Sequence, residues 1–272
     1  MELEPTGERM IVDEYQGNPE DRLIYHLHVE TYLFAEQFTP GKRVLDYGCG
    51  SGYGSAMIAR SAADVTGVDV ALDAVSYANE RYAGENLRFV QIDPDARLPF
   101  EDRQFDVVLS FQVFEHVEDE QRYLREVARV LVPGGVLLLV TPDRSTRLLP
   151  LQQPWNRWHL REYSASSLTR QLSRVFTDIR MLGMTGPPGI VGVELKRCRR
   201  LKWLSLPFTL PFYPRPLRIA LLNMVHRLRG RGTGPGTGSM RPLEPIPQGS
   251  ICIEAGATPS LNLVAVVHKA AD

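Results

Sequence analysis

Cysteine is scarce: Cys49, Cys198 and Cys252 are odd in number, far apart and outside any C-x-x-C pair, which excludes a disulfide framework. Reduced thiols in a cytoplasmic protein are the expectation. No stretch approaches the roughly 18 uninterrupted apolar residues that a bilayer-spanning helix needs. The first residues carry Glu2, Glu4, Glu8, Asp13 and Glu14 with no basic stretch feeding an apolar one, so no secretory signal is expected. No His, Cys or Asp cluster has metal-ligand spacing, and no metal is expected. Net charge is also small, −1 from 31 Lys+Arg against 32 Asp+Glu. Spread evenly, it would argue against nucleic-acid and membrane-surface partners.

The charge is segregated instead. From Leu195 to Leu243 there are eleven Lys+Arg, Lys196 through Arg241, and no acid, which leaves 20 basic against 32 acidic residues elsewhere. A body of net −12 therefore carries an arm of net +11. The arm also holds Trp203, Leu204, Leu206, Phe208, Leu210, Phe212 and Tyr213 broken by prolines, then an expected amphipathic helix at Leu217–Leu228. A Gly/Pro/Ser-rich loop from Gly230 to Ser250 reads as flexible. Basic, aromatic and aliphatic side chains without acids suit an anionic membrane surface. An arm packed on the acidic body, or across a homodimer, accounts for them as well. Nucleic acid is disfavoured, because the prolines and aliphatics exceed what a phosphate-tracking groove needs.

Ahead of the arm, helix-period and short apolar segments alternate from about residue 20 to 140. A helix is expected over 21–38, stopped by Pro40-Gly41, followed by strands at Arg43–Asp46, Val65–Val68, Leu87–Ile92, Phe105–Phe111 and Val136–Val140. Helices near Ser55–Arg60, Ala71–Tyr82 and Glu118–Leu131 separate them, the last ended by Pro133-Gly134-Gly135. Val107, Val108 and Leu109 form a continuous apolar run suited to a sheet covered on both faces. Such alternation gives a doubly wound parallel sheet, which binds ligands beyond the carboxyl ends of its strands. A helix near Ser166–Val175 and strands at Phe176–Met184 and Leu261–Lys269 complete the chain.

Residues 44–54 read Val-Leu-Asp-Tyr-Gly-Cys-Gly-Ser-Gly-Tyr-Gly. Glycine is needed where backbone turns sharply after a strand and lies against a ligand. The spacing alone also fits a dinucleotide fingerprint, and two acids decide between them. Asp46 stands just before the turn, where a pyrophosphate wants no carboxylate but a ligand bearing an ammonium and a sulfonium welcomes one. Asp69 ends the second strand, 23 residues later, where a carboxylate can accept from both ribose hydroxyls. Asp93, with Asp95 competing, follows the third strand where an adenine amino group can be taken. Singly, each Asp also reads as a helix N-cap or turn residue; three at successive strand ends favour a ligand. The third glycine at 52 rather than 53 further disfavours a nicotinamide-linked oxidoreductase.

These residues resemble the class I S-adenosylmethionine-dependent methyltransferases. The matching pieces are VLDYGCGSGYGS (44–55), VTGVDV (65–70), LPFEDRQFDVVLSFQVFEHV (98–117) and REVARVLVPGGVLLLVTP (125–142). TGERM (6–10), ETYLFAEQF before the first strand, and WHLREYS (158–164) resemble a bacterial subgroup associated with sugar, glycan and secondary-metabolite pathways. The resemblance covers roughly 1–184 and resumes at 261–269. It implies an α/β, Rossmann-like, doubly wound seven-stranded sheet with an antiparallel last strand and a basic insertion between strands six and seven. The implied layout is an N-terminal helical cap at 1–42, a cofactor-binding core at 43–184, the insertion at 185–260 and a final core strand at 261–272. The implied cofactor is S-adenosyl-L-methionine. By the same resemblance Asp46, Gly48, Gly50 and Gly52 hold its methionine portion, Asp69 the ribose and Asp93 the adenine, while Phe111 and Gln112 flank the sulfonium.

Methyl transfer from a sulfonium needs no acid on the leaving side; the enzyme's task is to hold the nucleophile in line. An alcohol acceptor also benefits from a base, for which histidine suits near-neutral pH. His116, in Phe-Glu-His-Val beyond the fourth strand, and His159, in Trp-His-Leu-Arg-Glu-Tyr, are the candidates, although each also reads as a packing or turn histidine. Trp155, Trp158 and Tyr163 crowd one segment and read either as an apolar wall for the acceptor or as a lid over the core, with Tyr25, His28 and Tyr32 of the N-terminal helix closing the pocket from the other side. The expected acceptor is a small molecule or glycan methylated at oxygen. Alternatives are nitrogen or carbon of a secondary metabolite, a lipid-linked acceptor at the inner membrane face, or a non-catalytic relative.

Overall fold

The computed structural model describes residues 19–94, 96–230, 247 and 249–271. The TGERM segment, Asp95 and the loop at 231–246 lie outside the described residues. In chain order the elements are α1 Pro19–Ala35, β1 Arg43–Tyr47, α2 Tyr53–Ile58, β2 Asp64–Asp69, α3 Leu72–Tyr82, β3 Leu87–Gln91 and β4 Phe105–Phe111. Then come α4 Glu120–Val130, β5 Leu131–Pro142, α5 Arg144–Arg147, α6 Ala165–Leu172, β6 Asp178–Thr185, α7 Pro188–Ser205, α8 Arg215–Gly230, β7 Cys252–Glu254 and β8 Asn262–His268.

The strands form one sheet in the order β3-β2-β1-β4-β5-β8-β6-β7. The first five are parallel, and β8 runs antiparallel between β5 and β6. The chain order reverses between β1 and β4, so a crevice opens beyond their carboxyl ends. Successive residues face opposite sides of the sheet. Leu45 and Val108 join Leu124, Val127 and Leu168 on the α4/α6 side. Val44 and Leu109 join Tyr32, Ile58 and Ala78 on the α1/α2/α3 side.

Three departures from expectation bear on the architecture, beside the single unexpected turn of α5. The sheet has eight strands rather than seven, because Cys252–Glu254, inside the segment read as an insertion, pairs antiparallel with Gly183–Thr185 of β6. Three residues are too few to show a strand period. Strand β5 starts at Leu131 rather than Val136, since Leu131 already pairs with Phe105 and the register shifts across Pro133-Gly134-Gly135. Helix α7 was not expected at all: Gly189 and Gly192 and a dense basic run hide the apolar positions. The expected Leu217–Leu228 helix is found as α8, longer at both ends.

The arm is tied to the body. Val191 of α7 packs with Leu23 and Leu27 of α1 beside Ile251 and Leu261. Gln152 donates to the Lys202 carbonyl at 3.0 Å and to Thr209 Oγ1 at 2.9 Å, and Gln153 to the Tyr213 carbonyl at 2.9 Å. Arg147 of α5 bridges Glu162 at 3.0 Å and Glu194 of α7 at 3.8 Å, and Glu194 in turn holds Arg197 at 2.6 Å.

Candidate active site

The chain leaves β1 through the glycine turn. Gly48 has φ +89°, and a Cβ there would meet Val113 Cγ2 at 2.3 Å, so only glycine lets the turn lie against the end of β4. The Gly50 N–H donates to Asp69 Oδ2 at 3.0 Å and the Ala71 N–H to Oδ1 at 2.9 Å. These bonds fix the carboxylate at the end of β2 beside the turn.

A cavity of about 440 Å³ opens there, and Gly48, Gly50, Asp69, Phe111, Gln112 and His116 all line it. Gln112 has φ +56°, and its N–H donates to the Val140 carbonyl at 2.8 Å. This left-handed backbone at a non-glycine residue aims the loop after β4 into the cavity. His28 and Tyr32 of α1 close one side and Trp158 the other, as expected, whereas Tyr25 is not among the lining residues.

Four expected site residues are not among the lining residues. Asp46 is 1% exposed and accepts from Ser55 Oγ at 2.6 Å and Tyr32 Oη at 3.2 Å. It braces the turn from beneath. Burial pushes its carboxyl up to about 6, with the hydrogen bonds from Ser55 and Tyr32 opposing that rise. Gly52 packs a backbone face on Ala78 and Phe89, where a Cβ would come within 2.7 and 2.8 Å. Asp93 is exposed and follows Ile92, itself a lining residue. His159 is buried behind His116.

Residues from separate segments meet at the far end. His116, in a 3-10 turn at Phe114–His116, has Nδ1 3.2 Å from the Trp158 carbonyl oxygen. Its ring stands edge-on to that of His159, with centroids 5.0 Å apart. His159 Nδ1 lies 2.9 Å from Glu162 Oε1, and Arg147 Nε donates to Glu162 Oε2 at 3.0 Å. Burial alone would raise the Glu162 carboxyl, but Arg147 and His159 outweigh it and hold it at about 2. Glu115 is fully buried, accepts from Thr141 Oγ1 at 2.9 Å, and burial raises its carboxyl against the pull of both histidines. One ligand-type atom each of Glu115, His116 and His159 lies within 4.8 Å of the others. Spacing along the chain shows no such cluster, because 43 residues separate the two histidines. Of the expected aromatic wall only Trp158 faces the cavity. The guanidiniums of Arg147 and Arg197 both lie over the Trp155 ring, and Tyr163 is buried against Phe114 and donates a hydrogen bond to Glu120.

Sequence reasoning missed Glu115 and the role of Gly54. A Cβ on Gly54 would come 2.0 Å from the Tyr32 ring, so this fourth glycine makes room for the tyrosine that holds Asp46. Its place in the glycine run was the available signal.

A glycine-rich turn, an acid fixed at the end of β2 and apolar lining at Ile92 and Phe111 fit a nucleoside joined to a charged amino-acid tail. A family model described as a methyltransferase domain matches residues 45–139. A probable S-adenosylmethionine-dependent methyltransferase of Mycolicibacterium smegmatis is 38% identical over 192 residues, 70% of this chain and 72% of that protein. A ubiquinone biosynthesis O-methyltransferase of Psychrobacter cryohalolentis is 37% identical over 126 residues, 45% of this chain and 49% of the other. Among solved structures, a possible histamine N-methyltransferase of Thermotoga maritima superposes with a TM-score of 0.56 at 15% identity, covering 95% of this chain and 96% of its own, a likeness of fold alone. The chain belongs to the class I S-adenosylmethionine-dependent methyltransferases.

Proposed function

We propose that this methyltransferase acts on a hydroxyl oxygen of a small-molecule or glycan acceptor. The observation that carries the reading is His116, which lines the cavity with Nδ1 3.2 Å from the Trp158 carbonyl oxygen, an imidazole being the side chain suited to proton transfer near neutral pH. S-adenosylmethionine supplies, when bound, a methyl on a sulfonium that leaves as a neutral thioether. Asp69 takes the ribose hydroxyls and Asp93 the adenine amino group. Gly48 and Gly50 leave room for the methionine end, Phe111 and Gln112 flank the sulfonium, and Asp46 and Gly52 keep the turn in place from behind. His116, backed by His159 and Glu162, sets the acceptor hydroxyl in line with the methyl, and the imidazole lone pair can take the hydroxyl proton. The O-methyltransferase names among the relatives agree with oxygen as the acceptor atom.

Calorimetry with S-adenosylhomocysteine should show binding by the wild type, and affinity at least about tenfold weaker in Asp69→Ala, the loss of a charged hydrogen-bond acceptor. No binding by the wild type would end the assignment of the cavity. Turnover of labelled cofactor against hydroxyl, amine and carbon acceptors then tests the atom: methylation of amines or carbon alone would overturn oxygen.

A lipid-linked acceptor is favoured by one further observation. Trp203, Leu204, Phe212, Leu217 and Met224 of the basic arm are exposed, and Arg199 and Arg200 stand exposed in the same segment. This composition suits docking on an anionic membrane.

A further inference from the structure

Trp158 joins the cavity to the basic arm. It lines the cavity and is 49% exposed, and the guanidinium of Arg157 lies over its ring, 4.8 Å from the centroid. Arg157 Nη1 donates to Asn223 Oδ1 of α8 at 3.0 Å. Asn223 in turn lines a second hollow, a groove of about 490 Å³ on α8, together with Arg215, Pro216, Ile219 and Ala220. Positions 216, 219, 220 and 223 share one face of a helix. Cavity, Trp158, Arg157 and groove therefore follow one another without a break.

Charge names what this run can hold. A partly buried guanidinium is ordinarily matched by a carboxylate, as Arg147 is by Glu162 and Arg197 by Glu194. Arg157 instead touches an amide and an indole, both neutral, and has no carboxylate partner among the described residues. Its positive charge is left uncompensated beside the cavity. Arg215, at the other end of the groove, meets Glu118 at 3.2 Å, but both side chains are more than half exposed, so that pair opens at little cost. Between the two guanidiniums the groove offers the apolar Pro216, Ile219 and Ala220. No acid occurs from 195 to 243 to compete for them. An anion on the Arg157 fork, joined to an alkyl chain lying on α8, satisfies both features.

We propose that the acceptor is an anionic amphiphile, whose phosphate or carboxylate binds Arg157 beside Trp158 and whose alkyl portion lies in the groove on α8. The inference rests on the acceptor entering the cavity at the end lined by His116 and Trp158, and it names the class of acceptor that the arm selects. Arg157 is then a specificity-determining residue: it sets where the acceptor's charge stands relative to the reacting hydroxyl, and a neutral acceptor gains nothing from it.

The test uses the full chain saturated with S-adenosylhomocysteine and titrated calorimetrically with octyl phosphate, octanoate or the neutral octyl glucoside, each below its micelle-forming concentration. Wild type, Arg157→Gln and Ala220→Asp are compared, and S-adenosylhomocysteine affinity is measured for each. The expected result is one saturable site for an anionic probe in the wild type, with the tighter of the two naming the acidic group, and weaker or no binding of octyl glucoside. Affinity for that anion should fall at least about tenfold in Arg157→Gln, the loss of a charged hydrogen bond, with S-adenosylhomocysteine binding retained. Ala220 is exposed, so Ala220→Asp, which sets a carboxylate in the groove, keeps the test decisive if Arg157→Gln misfolds, and it too should weaken the anionic probe. Failure of the wild type to bind either anion, equal affinity for octyl glucoside, or unchanged anion affinity in the variants would overturn the proposal. Such a failure leaves the hydroxyl reading standing, since methylation of hydroxyl against amine and carbon acceptors decides that separately.

Discussion

The guanidinium of Arg218 donates to the main-chain carbonyl of His159 at 3.1 Å. Its other terminal nitrogen donates to the Pro154 carbonyl at 2.7 Å, and the side chain is 1% exposed. A residue of the basic insertion thus holds the backbone that carries a candidate catalytic histidine. Burial, and then the nearby Arg215, lower the pKa of this guanidinium, in keeping with a charge partly withdrawn from water.

Arg218→Ala should therefore leave two carbonyls unpaired and a cavity beside them. The expected loss is about 2–4 kcal/mol in urea unfolding, with acceptor turnover reduced more than S-adenosylhomocysteine affinity. Arg218→Lys should recover only part, because an ammonium cannot span two carbonyls as a planar fork does. An unchanged unfolding midpoint in Arg218→Ala would show that the arm does not support the site.

Much of this arrangement was legible in the residues and some was not. The apolar run at Val107–Leu109 and the strand-ending acids Asp46 and Asp69 announce a parallel sheet and its crevice, because burial on both faces and a ligand at strand ends leave local marks. Contacts between distant segments leave none. Asp46 reads as a ligand group, yet Tyr32 and Ser55 turn it into a brace. Glu115 reads as the neighbour of a histidine, and only folding sets it beside His159. Arg218 reads as one more charge in a basic arm. Its two carbonyl partners, Pro154 and His159, lie about sixty residues away.

Gly54→Ala tests the seat of Tyr32. The added methyl would stand 2.0 Å from the tyrosine ring, so the ring must move and the Tyr32–Asp46 hydrogen bond must break. Overpacking of this kind costs about 1–3 kcal/mol, and because Tyr32 lines the cavity the loss should appear in calorimetric S-adenosylhomocysteine affinity as well as in stability. A variant that binds like wild type would mean that Tyr32 has no part in the cofactor site.

Asp46 should leave a mark on the pH dependence of stability. Its native pKa is about 6, against about 3.9 for an unfolded chain. Between those values the native state keeps a proton that the unfolded chain has released. The contribution of this group to stability therefore falls as pH rises from about 4 to about 6, by roughly 3 kcal/mol at most. Unfolding free energies of wild type and Asp46→Asn at the two ends of that window should diverge accordingly, wild type losing ground toward neutral pH. A constant difference would place an ionised Asp46 in the native state throughout.

The exposed apolar side chains of the arm can be tested without removing it. Deletion of 195–243 would strip Cys198 and Arg218 from buried positions, and the resulting misfolding would imitate any loss of docking. Trp203 and Phe212 are 59% and 69% exposed, so Trp203→Ser with Phe212→Ser should spare the fold. Single exposed apolar residues are ordinary, but five large ones between 203 and 224 in a segment without acids are a membrane-surface composition. Wild type should pellet with vesicles containing anionic lipid and not with neutral ones, and less so at high salt, since surface charge attraction is screened within about 10 Å at 0.1 M. The double variant should remain in the supernatant while still binding S-adenosylhomocysteine. Equal pelleting of both proteins, or of neither, would sink the membrane reading and leave the arm as a buttress for the site.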